Sequence, residues 1–305
     1  MNKDFLQITD FTAGEIHETF DIAIQLKSGR SEYSDILAGK TVACIFTKPS
    51  LRTRISFEAG IYELGGNSLY ITGNEIQLGV RESVYDAAKV LSRLVGMIMI
   101  RTFDHGDVEQ LGRHADVPVI NGLTDLTHPC QVMGDMLTAK EHLGRTDNLK
   151  IAFLGDGNNV FNSWMNLGCR IPMDLRLGTA PETLPDHDIM KKFLDVGLST
   201  LKITHDPLEA VEGADVIYTD VWASMGQKDM AAEKAALLGK FQVNDELVAR
   251  ADPGYIVMHC LPANRGQEIT DSVMDGEHSV VFDEAENRLH IQKAIMVQLM
   301  RNFNG

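Results

Sequence analysis

The sequence predicts an α/β protein of two domains, each a mostly parallel sheet flanked by helices, with the active site in the interdomain cleft. Three observations carry this. Short apolar runs rich in β-branched residues alternate with stretches of helical periodicity, the pattern of βαβ units. A polar break at Gly144-Arg-Thr-Asp-Asn148 divides the alternation into two series, giving a first domain over 1–143, completed by a C-terminal helix over 285–305, and a second over 144–284. Arg101, His128, Asn158, Asn159, Asp220 and Cys260 all fall just past the ends of apolar runs, where ligands bind in open α/β sheets.

In chain order, Thr9 and Thr12-Ala-Gly-Glu15 supply start signals for two short helices over 5–26. Residues 41–46, T-V-A-C-I-F, read as a buried strand, which Pro49 ends by fixing φ and removing a donor. Ser50 then opens a helix carrying Ile55, Ala59 and Tyr62 on one side. A second strand over 67–71 leads into a polar loop with Gln77, an amphipathic helix over 85–94 and a third strand over 95–100. A short helix near 108–114 and a strand over 117–120 precede the loop of residues 121–131, N-G-L-T-D-L-T-H-P-C-Q, and a helix over 132–143. The second series places strands at 149–154, 174–177, 200–204, 215–219 and 255–259, and closes with a helix over 285–303.

The chain of 305 residues is long enough for two ordinary cores. Its 28 basic and 43 acidic side chains give a net charge of −15, which argues against a nucleic-acid or anionic-membrane surface. An anionic substrate must therefore be drawn by a local arginine cluster. Cys44, Cys130, Cys169 and Cys260 stand far apart, with no C-x-x-C pair, which fits a reducing compartment better than a disulfide framework or a zinc site. No apolar run spans a bilayer, and the opening M-N-K-D-F holds no apolar signal core, so the expected location is cytoplasmic.

The stretch F-T-K-P-S-L-R-T-R at 46–54 has the makings of an oxyanion site. A hydroxyl residue opens a helix whose first N–H groups point outward, and guanidinium groups beside it can bind phosphate oxygens bidentately. The same residues also suit an ordinary N-cap with solvated arginines. Arg101 leaves a strand directly, and either a ligand or Asp104 or Glu109 can answer its charge. His128 and Gln131 open another helix and can donate to a carbonyl oxygen as charge builds there. The turn L-G-D-G-N-N-V at 154–160 imitates a dinucleotide fingerprint, but Val160 stands where the third glycine belongs and no acidic residue follows the next strand. Its paired amides suit a small polar ligand instead. Asp220 can accept from an ammonium group, with Ser224 nearby. Cys260 is either inert core or a thiolate near cations.

Together these motifs resemble the aspartate/ornithine carbamoyltransferase family. K-P-S-L-R-T-R resembles its carbamoyl-phosphate signature, usually S-T-R-T-R, with Leu51 in place of threonine. R-T-F-D-H, H-P-C-Q, D-G-N-N, D-V-W-A-S-M-G, H-C-L-P-A and F-D-E-A-E-N-R-L-H follow in order over nearly the whole chain. The resemblance implies that Ser50, Leu51, Arg52, Thr53, Arg101, His128 and Gln131 hold carbamoyl phosphate, with Gln77 reaching it from a neighbouring subunit of a homotrimer or a multiple of trimers. Asn159, Asp220, Ser224 and Met225 would bind ornithine, and Cys260, Leu261 and Arg288 would complete the site. Arg52, Arg101, His128 and Cys260 would carry catalysis. S-M-G and H-C-L-P point to ornithine over aspartate as acceptor, with citrulline and phosphate as products, in arginine biosynthesis, and no metal or organic cofactor. Asn264 stands where relatives commonly carry histidine or another basic residue after H-C-L-P-A, which bears on acceptor preference and loop dynamics. Two alternatives stand beside this reading: a carbamoyltransferase for another amine acceptor, such as putrescine or an N-acylated ornithine, or a non-catalytic binding relative.

Overall fold

Every strand that the sequence predicts forms, and all of them pair in parallel. In the first sheet, β1 (Thr41–Phe46) lies between β2 (Asn67–Thr72) and β3 (Met97–Arg101), with β4 (Val119–Leu123) beyond, in the order β2-β1-β3-β4. The second contains β5 (Leu149–Leu154), β6 (Met173–Gly178), β7 (Thr200–Thr204), β8 (Val216–Thr219) and β9 (Ile256–His259), in the order β7-β6-β5-β8-β9. The computed structural model describes residues 3–29, 32–223 and 230–304. They form two units, Met1–Gly134 with Glu286–Gly305, and Asp135–Ala285. The chain passes between the units inside α6 (Pro129–Leu143) and again inside α13 (Val281–Asn304).

Parallel strands covered on both faces read as continuous apolar runs. Accordingly, β3, β4 and β8 are buried at every position. In the first unit, Ala43, Ile45, Ile98, Ile100 and Val119 pack with Val84, Ala88, Val108 and Leu111 from α4 (Val84–Leu94) and α5 (His105–His114). In the second, Tyr218 stacks on Phe153 at 5.2 Å and meets Trp164 edge-on at 6.0 Å. Trp164 comes from α7 (Asn159–Gly168), which is buried along most of its length.

The differences from expectation have local causes. The first predicted helix shrinks to a turn at Ile8–Asp10, because Phe5 pairs with β4 instead. Phe5 N–H donates to Val119 O and Asn121 N–H to Phe5 O, both at 2.9 Å, so the N-terminal segment covers a sheet edge and draws β4 on through Asn121 and Gly122. Helix α6 starts three residues early, at Pro129, since a proline is well suited to a first helical position. Helix α13 starts at Val281, so Arg288 lies two turns inside it and not at its beginning.

Helix α2 (Leu51–Glu63) buries Phe57 and Ile61. Its other apolar side faces outward: Ile55 is 55% exposed and Tyr62 80%. Gly60 lets α13 approach closely, as a methyl there would sit 3.0 Å from the Lys293 side chain. Lys293 bonds Glu63 at 2.5 Å and Arg301 bonds Glu18 at 2.6 Å, fastening α13 to the first unit.

The two glycines of the 154–160 turn are architectural. Gly155 sits at φ +125°, and a Cβ on Gly157 would lie 2.5 Å from Pro185 N and 2.8 Å from Thr183 O. Both obstacles are backbone atoms that cannot swing aside. Gly157→Ala should therefore lower unfolding free energy by about 2 kcal/mol; urea denaturation followed by circular dichroism would show the shift, and an unmoved midpoint would mean the 183–185 segment yields freely.

Candidate functional site

Each sheet reverses its winding once, and the candidate residues gather at those two places. In the first unit, the chain runs outward to β2 from β1 and in the other direction from β3 to β4. In the second, it runs from β5 toward β6 and β7, whereas β8 leads to β9. A crevice opens beyond the carboxyl ends of strands at such a reversal. Register keeps those ends level: Phe46 pairs with Arg101, Leu154 with Thr219, and Thr219 with His259.

At the first reversal, Ser50 caps α2, its Oγ accepting from Thr53 N–H at 3.3 Å. The Thr53 hydroxyl is almost fully buried and is the hub of the cluster: Arg101 Nη1 and Arg288 Nη2 both donate to its Oγ1 at 3.2 Å. Arg288 Nη1 also donates to Gln131 Oε1. Asp104 and Glu109, the other candidates for Arg101, are occupied locally, with Asp104 capping α5 through Gly106 N–H and Glu109 lying 4.0 Å from His105. His128 is buried against this group. Burial, then the charges of Arg288, Arg101, Lys48 and Arg52, hold its imidazole well below the usual histidine range. It is thus a neutral N–H donor at physiological pH. Leu51 projects its side chain outward, 70% exposed, so only its backbone can serve the site. Arg54, the second arginine of R-T-R, turns away to bond Glu58 at 3.0 Å and cover the Tyr70 ring at 3.8 Å. Gln77 is exposed and adopts a left-handed φ of +44°.

At the second reversal, Asp220 is the hub. Its Oδ2 accepts from Asn158 Nδ2 at 2.7 Å, and its Oδ1 from Val221 N–H at 2.7 Å and Cys260 Sγ at 2.9 Å. Asn158 also caps α7, its Oδ1 accepting from Val160 and Phe161 N–H, while Asn159 opens that helix beside it. The surroundings of Cys260 favour the thiol. Burial and the neighbouring Asp220 carboxylate push its thiol well above the usual value. It is a thiol that donates. Ser224 and Met225 lie outside the described residues.

Behind Cys260, His259 accepts Leu261 N–H on Nδ1 at 2.9 Å and donates from Nε2 to the buried Glu268 at 3.1 Å. Leu261 itself stands at φ +55°, a strained position for a branched residue. Glu268 also accepts Asn264 N–H at 2.5 Å, so the loop that carries Asn264 is tied down through its backbone. Asp220, His259 and Cys260 have donor atoms within 4.8 Å of one another, but with both imidazole nitrogens engaged they form a hydrogen-bonding set and not a metal cage. Glu284, near the start of α13, accepts His259 N–H at 2.8 Å and Tyr218 OH at 3.3 Å. Burial and the Asp135 carboxyl push its pKa well up.

Sequence reading passed over Lys48, Glu268 and also Lys234, which bonds Asp156 in the second unit. Lys48 is almost fully buried and bonds Asp125 at 2.8 Å; its place beside Pro49 in the signature was the available signal. Glu268 and Lys234 had none, because their partners are distant in sequence or irregularly spaced.

Family models match both units: residues 3–141 match the carbamoyl-P binding domain of aspartate/ornithine carbamoyltransferases, and residues 147–299 match their Asp/Orn binding domain. The chain is 52% identical over 303 residues to an ornithine carbamoyltransferase of Carboxydothermus hydrogenoformans, covering 98% of this chain and 97% of that one. Among solved structures it is similar to the ornithine carbamoyltransferase of Pyrococcus furiosus, with a TM-score of 0.92, 46% identity and coverage of 98% and 97%. It is also similar to an anabolic ornithine carbamoyltransferase of Campylobacter jejuni, with a TM-score of 0.93, 34% identity and coverage of 99% and 100%.

The raised thiol of Cys260 has a direct readout. Alkylation by iodoacetamide should be slow at neutral pH and accelerate as pH climbs past the ordinary thiol range, because only the thiolate reacts. Asp220→Asn removes the neighbouring charge and should speed labelling at pH 7 by about tenfold. Mass spectrometry of the Cys260 peptide would report it, and equal rates in both proteins would refute the assignment.

Proposed function

The chain belongs to the aspartate/ornithine carbamoyltransferase family, and on that premise we propose that it transfers the carbamoyl group of carbamoyl phosphate to L-ornithine, giving L-citrulline and phosphate. The observation that carries this reading is the convergence of Arg101 and Arg288 on Thr53 at the capped start of α2. Two guanidinium groups beside a helix N-terminus suit a phosphate dianion.

Carbamoyl phosphate binds through Ser50, the Leu51 backbone, Arg52, Thr53, Arg101, His128, Gln131 and Arg288. Arg52 and the helix terminus neutralise the phosphate and make it a better leaving group. Arg101 and the neutral His128 donate to the carbonyl oxygen as it gains charge, each such donor being worth about 3 kcal/mol of barrier. Ornithine binds through Asn159, Asp220, Ser224 and Met225, and Cys260 with Leu261 aligns its δ-amine. The amine attacks in its neutral form, and the departing phosphate takes the proton. The remaining acceleration comes from holding two substrates in line. No step calls for a metal or an organic cofactor.

We place this reaction in cytoplasmic arginine biosynthesis and in a homotrimer or a multiple of trimers. In support, no helix among the described residues is long and apolar enough to cross a membrane. Helix α2 turns Ile55 and Tyr62 outward, and Val80, three residues past Gln77, is 87% exposed. Large apolar side chains left exposed suit an association surface, and a neighbour seated beside Gln77 would receive it into its carbamoyl-phosphate site.

A citrulline assay tests the activity. Arg52→Ala should lower citrulline formation at limiting carbamoyl phosphate by about a hundredfold, and near wild-type rates would remove Arg52 from the site. Ornithine should outperform putrescine, N-acetylornithine and aspartate; a better rate with putrescine would exclude an amino-acid head group at Asn159 and Asp220. Light scattering should give a mass of three chains or a multiple, and a monomer would refute the shared Gln77.

A further inference from the structure

Lys234 enters none of the roles above, yet it is built into the second cluster. It lies in α10 (Ala231–Leu238), is 8% exposed, and its Nζ bonds Asp156 Oδ2. A lysine so buried carries a large desolvation cost unless its charge is answered. Asp156 answers it from the middle of the turn that joins β5 to α7.

That turn leaves Asp156 little freedom. Gly155 before it needs its φ of +125°, and Gly157 after it is wedged against the backbone of residues 183–185. Two residues on, Asn158 bonds Asp220. Asp156 and Asp220 are near enough for each charge to act on the other, and burial already pushes the Asp156 carboxyl up while Lys234 draws it down. Two carboxylates thus share one strand-end crevice, and one of them is permanently neutralised.

We propose that Lys234 is a positioning residue for the acceptor: by pairing with Asp156 it leaves Asp220 as the carboxylate that receives the acceptor's cationic nitrogen. Without that ammonium, Asp156 stands as a second anion near Asp220 and competes for the same cation. The role requires a charge, because a neutral donor would satisfy the hydrogen bond while leaving the extra negative charge in place. This inference rests on the carbamoyl-transfer reading.

The decisive variant is Lys234→Gln, which keeps an N–H donor at nearly the same reach but removes the charge. Steady-state citrulline kinetics should show the KM for ornithine raised about tenfold or more, with the KM for carbamoyl phosphate within about twofold and kcat much less affected. Lys234→Arg should restore the ornithine KM, and adding Asp156→Asn to Lys234→Gln should recover most of it. An ornithine KM unchanged in Lys234→Gln, or both KM values raised together, overturns the proposal. If Lys234→Gln does not fold, Asp156→Asn alone decides, since the released Lys234 ammonium would then compete for Asp220 and raise the ornithine KM, and an unchanged value overturns the proposal. Failure of wild-type protein to form citrulline would instead sink the carbamoyl-transfer reading.

Discussion

The crowding of positive charge around one buried threonine is the constraint on which the first unit depends. Arg101 and Arg288 both donate to Thr53, His128 is packed against them, and Lys48 and Arg52 add to the same field. Like charges gathered where water is scarce repel strongly, so the group needs answering acceptors, and Lys48 has one in Asp125. The protein as a whole carries −15 and would repel one. The cluster is a local inversion of the molecule's field, and it adds to burial, the larger cause, in holding His128 well below the usual histidine range.

What places these side chains together is the sheet geometry. Parallel strands in register end at one level, and helices that follow them begin there with unsatisfied N–H groups. The β1/β3 and β5/β8 pairs are where each sheet changes direction, so the turns after them diverge and leave room between. Thr53 stands just past β1, Arg101 ends β3, Asn158 follows β5 and Asp220 follows β8. The second cluster differs from the first in sign. Asp220 collects an amide, a backbone N–H and a thiol, a negative charge held in place by three donors. Opposite polarity in the two units matches two substrates of opposite character.

Strands were readable from sequence to within three residues at either end, β1, β5 and β7 in full, because buried parallel strands leave an uninterrupted apolar record. Candidate residues were readable as positions after those strands. Their partnerships were not. Thr53 shows as one hydroxyl among several in a helix start, and nothing local tells that guanidinium groups 48 and 235 residues away will meet it. The same holds for Lys234 and Asp156, 78 residues apart. Periodicity also failed on α2, where Ile55 and Tyr62 form a proper helical stripe that turns out to be the exposed one. An apolar stripe identifies a face to be covered without saying what covers it.

The first unit is assembled from two pieces of chain, Met1–Gly134 and Glu286–Gly305, with the whole of the second unit between them. During translation, the ribosome releases the segment bearing Arg288 and Lys293 only after every residue of the second unit has emerged. Domains fold as their residues become available, so the central unit can mature on a nascent chain while the first waits for its closing helix. The first unit, whose residues 3–141 match a carbamoyl-P binding domain, therefore stays unfinished until the second has been made, so Arg288 reaches Thr53 only on a chain that already carries both units.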